Sequence, residues 1–272
     1  MSVLRAYLRG VGLWMPAHPS FASWCDAGMP EDFAGTFSQT SALPVAELLH
    51  PRLRRRTSVF TRATVTALEA ATSQGGAALD DVRLVLVSSF GEIETTVELL
   101  AQLAEPHGPV SPTKFHNSVH NTATGYMSIA RGNHRESTAL AGGPHNLEIA
   151  TLELLAGLAL DGGDAVLLVA EELLPAPFAR PDADPTFALA LHFGVEPGGL
   201  DLRATLEGVE AHADEQAPTL GIPSMVAPTV ALLRAVAQLS SDPAAAPQVV
   251  NLSSREDASV NLRWTLTLAR GS

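Results

Sequence analysis

Two apolar runs, each next to a helical pattern, constrain the fold of this 272-residue sequence more than any other feature. VRLVLVSSF (82–90) and DAVLLVAEE (164–172) are rich in Val and Leu, a pattern typical of strands that are buried on both faces of a sheet. Apolar residues at helical spacing follow the first run in GEIETTVELLAQL (91–103) and precede the second in NLEIATLELLAGLAL (146–160). Strand and helix thus alternate, so we predict an α/β layered fold with helices packed on a mixed β-sheet.

The other elements follow from the same periodicities. We predict a first strand at 3–14, a loop at 16–35, a helix from Arg55 that stops at Gly75-Gly76, neighbouring strands at 187–194 and 202–209, a helix at 227–239 and final strands at 248–254 and 259–269. The chain is of a size to form one large domain, which we expect to span residues 1–272.

Charge and cysteine content exclude several classes of function. The formal charge of −12 argues against nucleic-acid binding, because phosphates require a basic face. No apolar run is long enough to span a membrane, and the N-terminus is too interrupted by arginine for a signal peptide. The only cysteine, Cys25, excludes an intramolecular disulfide and fits a reducing compartment, so we expect a cytoplasmic protein.

The stretch FHNSVHNTATGY (115–126) is the densest group of polar functional side chains. His116 and His120 lie four residues apart and could clasp a metal from one helical face, but the asparagines beside them are poor zinc ligands. We therefore expect no metal, and we favour a structural role in which these side chains hydrogen-bond backbone where a loop enters a helix at 119–132. Phosphate-binding, dinucleotide and nucleophile-elbow motifs are absent from the sequence, so no cofactor is expected.

The order of these motifs resembles a known family. Five segments occur in the same order as in the N-terminal half of a β-ketoacyl synthase. They are AYLRGVGLWMP, NSVHNTATGYMSIARG, STALAGG, the long helix predicted at 146–160, and DGGDAVLLVAEE. The chain is most similar to the shortened ketosynthase-like proteins of bacterial aryl polyene and related polyketide pathways, and RLRRRTSVFTRATVTAL resembles the first helix of that subgroup. The resemblance covers residues 3–195, whereas 196–272 is a shortened, strand-rich part. It implies a thiolase-like fold.

Catalytic members of that family carry a nucleophilic cysteine at the start of the long buried helix. Counting forward from Gly132 places Pro144 at that position, and counting back from Gly162 places His145 there. Neither side chain can form a thioester, and we interpret Cys25 as structural. His145 could still act as a neutral acid/base group, or the turn could be a helix cap built from Pro144 and Asn146.

The two catalytic histidines of the family have no convincing counterpart. VEAHADEQAPTL (209–220) shares the letters EAH with one family motif, but the glycines that follow are replaced. We interpret this match as chance; as a remnant, His212 would face the vestigial site. The lysine-containing motif of the second histidine is missing, since Lys114 is the only lysine.

The resemblance implies a non-catalytic subunit, similar to a chain length factor, that forms a heterodimer with a full-length β-ketoacyl synthase. SIARGNHRESTALAGG would supply an edge strand, and an apolar patch would be exposed without the partner. The expected interface and tunnel residues are Phe115, His116, Asn117, His120, Asn121, Gly125 and Tyr126. The alternatives are a stand-alone acyl-thioester enzyme that uses His145, His116 or His120, and a homodimer that binds acyl carrier protein.

One basic cluster stands out in this acidic chain. Its members are Arg52, Arg54, Arg55 and Arg56. They could be the solvated start of a helix or a docking patch for the phosphopantetheine-bearing acyl carrier protein, which is itself acidic.

Overall fold

The computed structural model describes residues 3–31, 33, 43–106, 109–181, 183–210, 224–253 and 262–271. Its strands are β1 (Leu4–Trp14), β2 (Arg83–Val87), β3 (Ser137–Leu140), β4 (Asp164–Glu171), β5 (Phe187–Gly194), β6 (Leu202–Glu210), β7 (Gln248–Asn251) and β8 (Leu262–Arg270). Its helices are α1 (Phe21–Asp26), α2 (Pro51–Arg54), α3 (Val59–Gly75), α4 (Ile93–Ala104), α5 (Pro112–Asn117), α6 (Thr122–Arg131), α7 (Asn146–Asp161) and α8 (Val226–Ser241).

The described strands form one mixed sheet in the order β3-β2-β4-β5-β1-β6-β8-β7. β2 is parallel to both β3 and β4, and the remaining pairs are antiparallel. Helix α3 packs on one face of the sheet, and α7 contacts β1, β2 and β4 within the core of the other face, to which α8 also contributes. The predicted layered α/β fold with a mixed sheet is confirmed.

The prediction that the strands at 187–194 and 202–209 are neighbours is wrong. β1 lies between β5 and β6, pairing through Leu13 with Leu189 and through Leu4 with Leu206. The loop before β6 packs over the middle of β1 instead of closing a hairpin, since the Leu200 N–H donates to the Arg9 carbonyl at 2.8 Å. A long first strand, buried over most of its length, thus separates two strands that are consecutive in the sequence.

Several helix boundaries also differ from prediction, and local capping explains them. α3 begins at Val59 because the Ser58 side chain accepts the Thr61 N–H. Arg52 and Arg54 therefore belong to the short helix α2 that Pro51 opens, and Arg55 and Arg56 follow it in the turn before α3. A reciprocal Ser20–Ser23 capping box forms α1 inside the predicted loop. The helix predicted at 119–132 is in fact α6, which starts at Thr122. None of the described helices combines the length and apolarity needed to cross a membrane.

Candidate functional site at the carboxyl ends of strands β2, β3 and β4

The turn between β3 and α7 lies where the family resemblance places a nucleophile. β3 ends at Leu140, a short 3-10 turn spans Gly143–His145, and α7 begins at Asn146. Both counted positions, Pro144 and His145, therefore stand at the N-terminus of the long helix. The sequence predicted this location, and it carries no thiol.

The surroundings of Cys25 argue against its acting as a displaced nucleophile. It lies near the end of the short helix α1 and is half-buried. Burial raises the pKa of the Cys25 thiol, and the nearby Asp26 carboxylate raises it further. A reactive cysteine needs the opposite shift, because the thiolate is the nucleophile.

His145 is held by a carboxylate of α7, the helix that follows it. Its Nδ1 lies 2.5 Å from Oε2 of Glu148, whose side chain is only 5% exposed. The other Glu148 oxygen, Oε1, accepts the Trp264 N–H of β8 at 3.2 Å. Glu148 can thus orient the His145 imidazole for proton transfer, but the described residues bring no nucleophile into contact with that imidazole.

Asn146 does not cap the helix as predicted. Its Oδ1 accepts the Gly142 N–H across the turn, and its Nδ2 donates to Ser89 Oγ at 3.1 Å. The α7 N-cap position is His145, which makes no capping hydrogen bond through its side chain. Asn146 instead connects the turn to the end of β2.

That connection continues into a buried carboxyl group. Glu171, at the end of β4, accepts Ser89 N–H at 2.7 Å and Ser89 Oγ–H at 2.8 Å, and Ser88 Oγ lies 3.3 Å away. Burial raises the pKa of Glu171 to about 8, with nearby Asp184 adding to the shift, so this group is largely protonated at neutral pH. Sequence reasoning missed this network; the pair Glu171-Glu172 at the end of an apolar strand was the only signal for it.

The predicted interface residues separate into two groups. Phe115 is 63% exposed and Asn121 is also exposed, whereas Asn117 and Tyr126 are buried. Gly125 is half-buried, and beyond its own helix turn a Cβ there would meet no atom of the described residues within 4 Å.

The histidines and Asn117 hydrogen-bond within this region. Asn117 Nδ2 donates to the Arg56 carbonyl at 2.6 Å, and His120 Nε2 lies 3.1 Å from the Leu140 carbonyl at the end of β3. His116 Nδ1 lies 3.1 Å from Asn117 Oδ1, and its ring meets Tyr126 edge-on. These contacts fit the structural interpretation of the motif. No group of three or more metal-ligating side chains occurs in the described parts of the chain.

An exposed apolar surface lies beside this motif. We call α4 and α5 together with Ser118 and Val119 the α4–α5 lobe. Leu99 is the only residue of α4 that is buried, while Leu100 and Leu103 are 53% and 58% exposed, and Val119 is exposed as well. Apolar spacing in 91–103 predicted this helix, but periodicity cannot tell whether the apolar face packs within the chain or against another chain.

The arginine cluster is only partly free to meet a partner. Arg52, Arg55 and Arg56 are exposed. Arg54 is half-buried and donates from NH1 to the Val45 carbonyl at 2.8 Å. His212 lies outside the described residues.

Comparison of the sequence with known protein families gives a match. The model for the β-ketoacyl synthase N-terminal domain matches residues 27–245. No curated protein matches the sequence significantly.

Solved structures show the same fold at low identity. The complex of the ketosynthase ApeO with its chain length factor ApeC from Xenorhabdus doucetiae matches with a TM-score of 0.68 and 19% identity, over 97% of this chain and 99% of that one. The type II polyketide complex AntDE:AntF, an acyl carrier protein with its ketosynthase, matches with a TM-score of 0.72 and 13% identity, over 98% and 99%. A bacillaene synthase ketosynthase from Bacillus amyloliquefaciens FZB42 gives a TM-score of 0.53 and 12% identity, over 78% and 45%.

These findings agree with the sheet, the position of α7 and the order of the sequence motifs. The fold is thiolase-like, as the resemblance implied. The chain belongs to the β-ketoacyl synthase N-terminal domain family.

Proposed function

We propose that this chain is a ketosynthase-like subunit without condensing activity of its own, which pairs with a full-length β-ketoacyl synthase and shapes the acyl tunnel of the pair, as a chain length factor does. The main support for this proposal is the absence of a cysteine at the N-terminus of α7. Condensation needs a thiolate there, and the chain offers Pro144 and His145 instead. The partner would supply the thiol. The pathway we propose is polyketide or aryl polyene synthesis.

The edge strand β3 supports pairing with a second chain. The carbonyl of Glu136, just before β3, accepts the Leu84 N–H of β2 at 3.1 Å, and the Leu140 carbonyl accepts the N–H of Ser88, just after β2, at 3.2 Å. Because successive residues of a strand direct their peptide groups to opposite sides, the amides of Ser137 and Ala139 point to the outer edge. β3 is the last strand on this side of the described sheet. An added strand can bind there.

The α4–α5 lobe supplies apolar area for the same partner. His120, which follows the lobe, lies against the Leu140 carbonyl of β3, so the lobe is tied to the end of this edge strand. Exposed apolar clusters of this kind are typical of association surfaces.

The second partner that we propose is the acyl carrier protein. Arg52, Arg55 and Arg56 are exposed in a chain of net charge −12, which makes their cluster an unusual basic feature. An acidic carrier would be attracted to it, and such binding would weaken as salt increases.

Co-expression with a type II ketosynthase, followed by mass measurement of the purified complex, tests the pairing. We expect a one-to-one heterodimer. Ala139→Pro removes an N–H from the outer edge of β3 without touching the carbonyls that β2 uses, so this variant should lose the heterodimer. Ser137→Ala is the matched control, because it changes a side chain on the same edge and keeps the amide.

Three outcomes would contradict the proposal. One is a monomer that ignores any ketosynthase, and another is a homodimer that forms and binds carrier without one. The third is turnover of acyl carrier thioesters by the chain alone.

A second candidate function, a stand-alone acyl-thioester enzyme, is favoured by one observation. Glu148 orients His145 at the helix N-terminus, where an acid/base group could act on a bound thioester. Activity of the purified chain that disappears in His145→Ala would support this function over the subunit role.

A further inference from the structure

The backbone that carries the exposed arginines is held by side chains from two other helices. We call residues 52–57 the basic turn. The Arg54 carbonyl accepts hydrogen bonds from Nε and NH2 of Arg62, at 3.1 and 2.7 Å, and from Thr57 Oγ1 at 2.8 Å. The Arg56 carbonyl accepts from Asn117 Nδ2 at 2.6 Å. Carbonyls at a helix end lack partners within the helix, so these contacts fix the local direction of the chain.

Asn117 is the point at which the basic turn meets the α4–α5 lobe. It is the last residue of α5 and only 6% exposed. Its Oδ1 accepts the Tyr126 hydroxyl of α6 at 2.9 Å, while its Nδ2 contacts the basic turn. One amide therefore joins three elements. The helix that contains it also carries Phe115 on its exposed surface.

We propose that Asn117 is a positioning residue for carrier docking, which fixes Arg55 and Arg56 relative to the partner-binding lobe without itself meeting the carrier. This inference rests on the proposed function. Holding the turn in advance spares the complex the entropy of ordering it on binding. A carrier bound on the basic turn would then have a set orientation relative to the α4–α5 lobe and hence to a ketosynthase paired there.

The test compares two variants that each remove polar contacts from the same cluster. Asn117→Ala deletes the hydrogen bond to Arg56, whereas Tyr126→Phe deletes only the hydroxyl that donates to Asn117. The probe is a phosphopantetheine-bearing acyl carrier protein, titrated into the full chain in its ketosynthase complex at low and at physiological salt. We expect Asn117→Ala to weaken binding roughly fivefold to tenfold and Tyr126→Phe to weaken it less than about twofold.

A second pair of variants keeps the test decisive if Asn117→Ala folds poorly. Asn117→Asp retains the acceptor for Tyr126 and loses the donor to Arg56. Asn251→Asp adds the same charge at an exposed position of β7, at the other edge of the sheet from β3. We expect the first of these to weaken carrier binding several-fold more than the second.

The outcomes separate the two levels of the proposal. Charge reversal of Arg55 and Arg56 to Glu in the wild-type background tests whether the carrier docks there at all; unchanged affinity would overturn the docking and the role of Asn117 with it. If charge reversal weakens binding but the Asn117 variants match their controls, only the positioning role is overturned. If Tyr126→Phe weakens carrier binding as much as Asn117→Ala does, the positioning role is likewise overturned and Asn117 is a structural residue.

Discussion

Helices α3 and α4 both carry apolar residues at helical spacing, but their surroundings differ. Most residues of α3 are buried against the sheet, whereas α4 buries Leu99 alone. The contact of α3 with β1 is unusually close: a Cβ on Gly10 or Gly12 would lie 2.0 Å from a carbonyl oxygen of α3. α3 is thus part of the core by close packing.

Helix α4 is attached by polar groups instead. Glu92, its N-cap residue, accepts hydrogen bonds from Ser58 Oγ at 2.8 Å and from Thr61 Oγ1 at 2.5 Å, while Glu172 accepts the Glu94 N–H at 3.0 Å. Among the described residues, Leu100 and Leu103 of α4 remain exposed, while Ile93 and Val97 are half-buried. Exposed apolar side chains of this kind suit a partner.

The largest effect should come from adding a side-chain atom to β1 where it packs directly against α3. Gly12→Ala would place its Cβ 2.0 Å from the Ala67 carbonyl oxygen, so α3 would have to move. We expect a loss of about 3 kcal/mol in the free energy of unfolding, measured by urea denaturation. Gly125→Ala is the control: its Cβ meets nothing within 4 Å, and alanine favours a helix. Equal stability of the two variants would mean that α3 does not depend on this contact.

For α4 we expect the reverse: substitutions on its exposed side should affect partner binding more than the stability of the chain. Leu100→Ser with Leu103→Ser should lower the stability of the isolated chain by no more than about 1 kcal/mol, mainly through helix propensity, because both side chains are exposed. The affinity for a ketosynthase should fall tenfold or more, since apolar contacts would be lost from the proposed interface. Titration with the purified synthase measures this.

Leu160→Ser supplies the control for that experiment. Leu160 is 83% exposed near the end of α7, at the opposite end of that helix from the turn at Gly143–His145. If it weakens pairing as much as the α4 variants, the lobe is not the interface.

Local sequence pattern predicted the elements of the fold better than their arrangement. β2, β4 and α7 were identified because continuous apolar runs and helical spacing depend on neighbouring residues alone. The position of β1 between β5 and β6 depends on pairing between distant segments, and no local signal reports it.

The site divides in the same way. Pro144 and His145 were located through the family resemblance and the order of motifs. The network beneath them was not predictable, since Asn146 reaches Ser89 across 57 residues of sequence and Ser89 reaches Glu171 across 82. Asn117 could be recognised as a backbone-binding residue, but its acceptor, Arg56, lies 61 residues away.

The polar attachment of α4 and the apolar attachment of α3 should also respond differently to pH. Burial raises the pKa of Glu172 from 4.5 to about 8, with Glu92 and Glu94 adding to the shift. In the folded protein this carboxyl keeps its proton between those values, while in the unfolded chain it does not. Its contribution is therefore fully present below pH 4.5 and is lost as the pH rises to about 8.

Glu172→Gln should remove this dependence while keeping an oxygen to accept the Glu94 N–H. We expect the unfolding free energy of the variant to match that of the wild type below pH 4.5 and to exceed it increasingly as the pH rises to about 8. Hydrogen exchange, corrected for its intrinsic pH dependence, should show wild-type α4 losing protection over this range more than α3 does. Glu105→Gln, which removes an exposed charge at the end of α4, should keep the wild-type slope. Parallel loss of protection in both helices would mean that α4 and α3 are held by the same core after all.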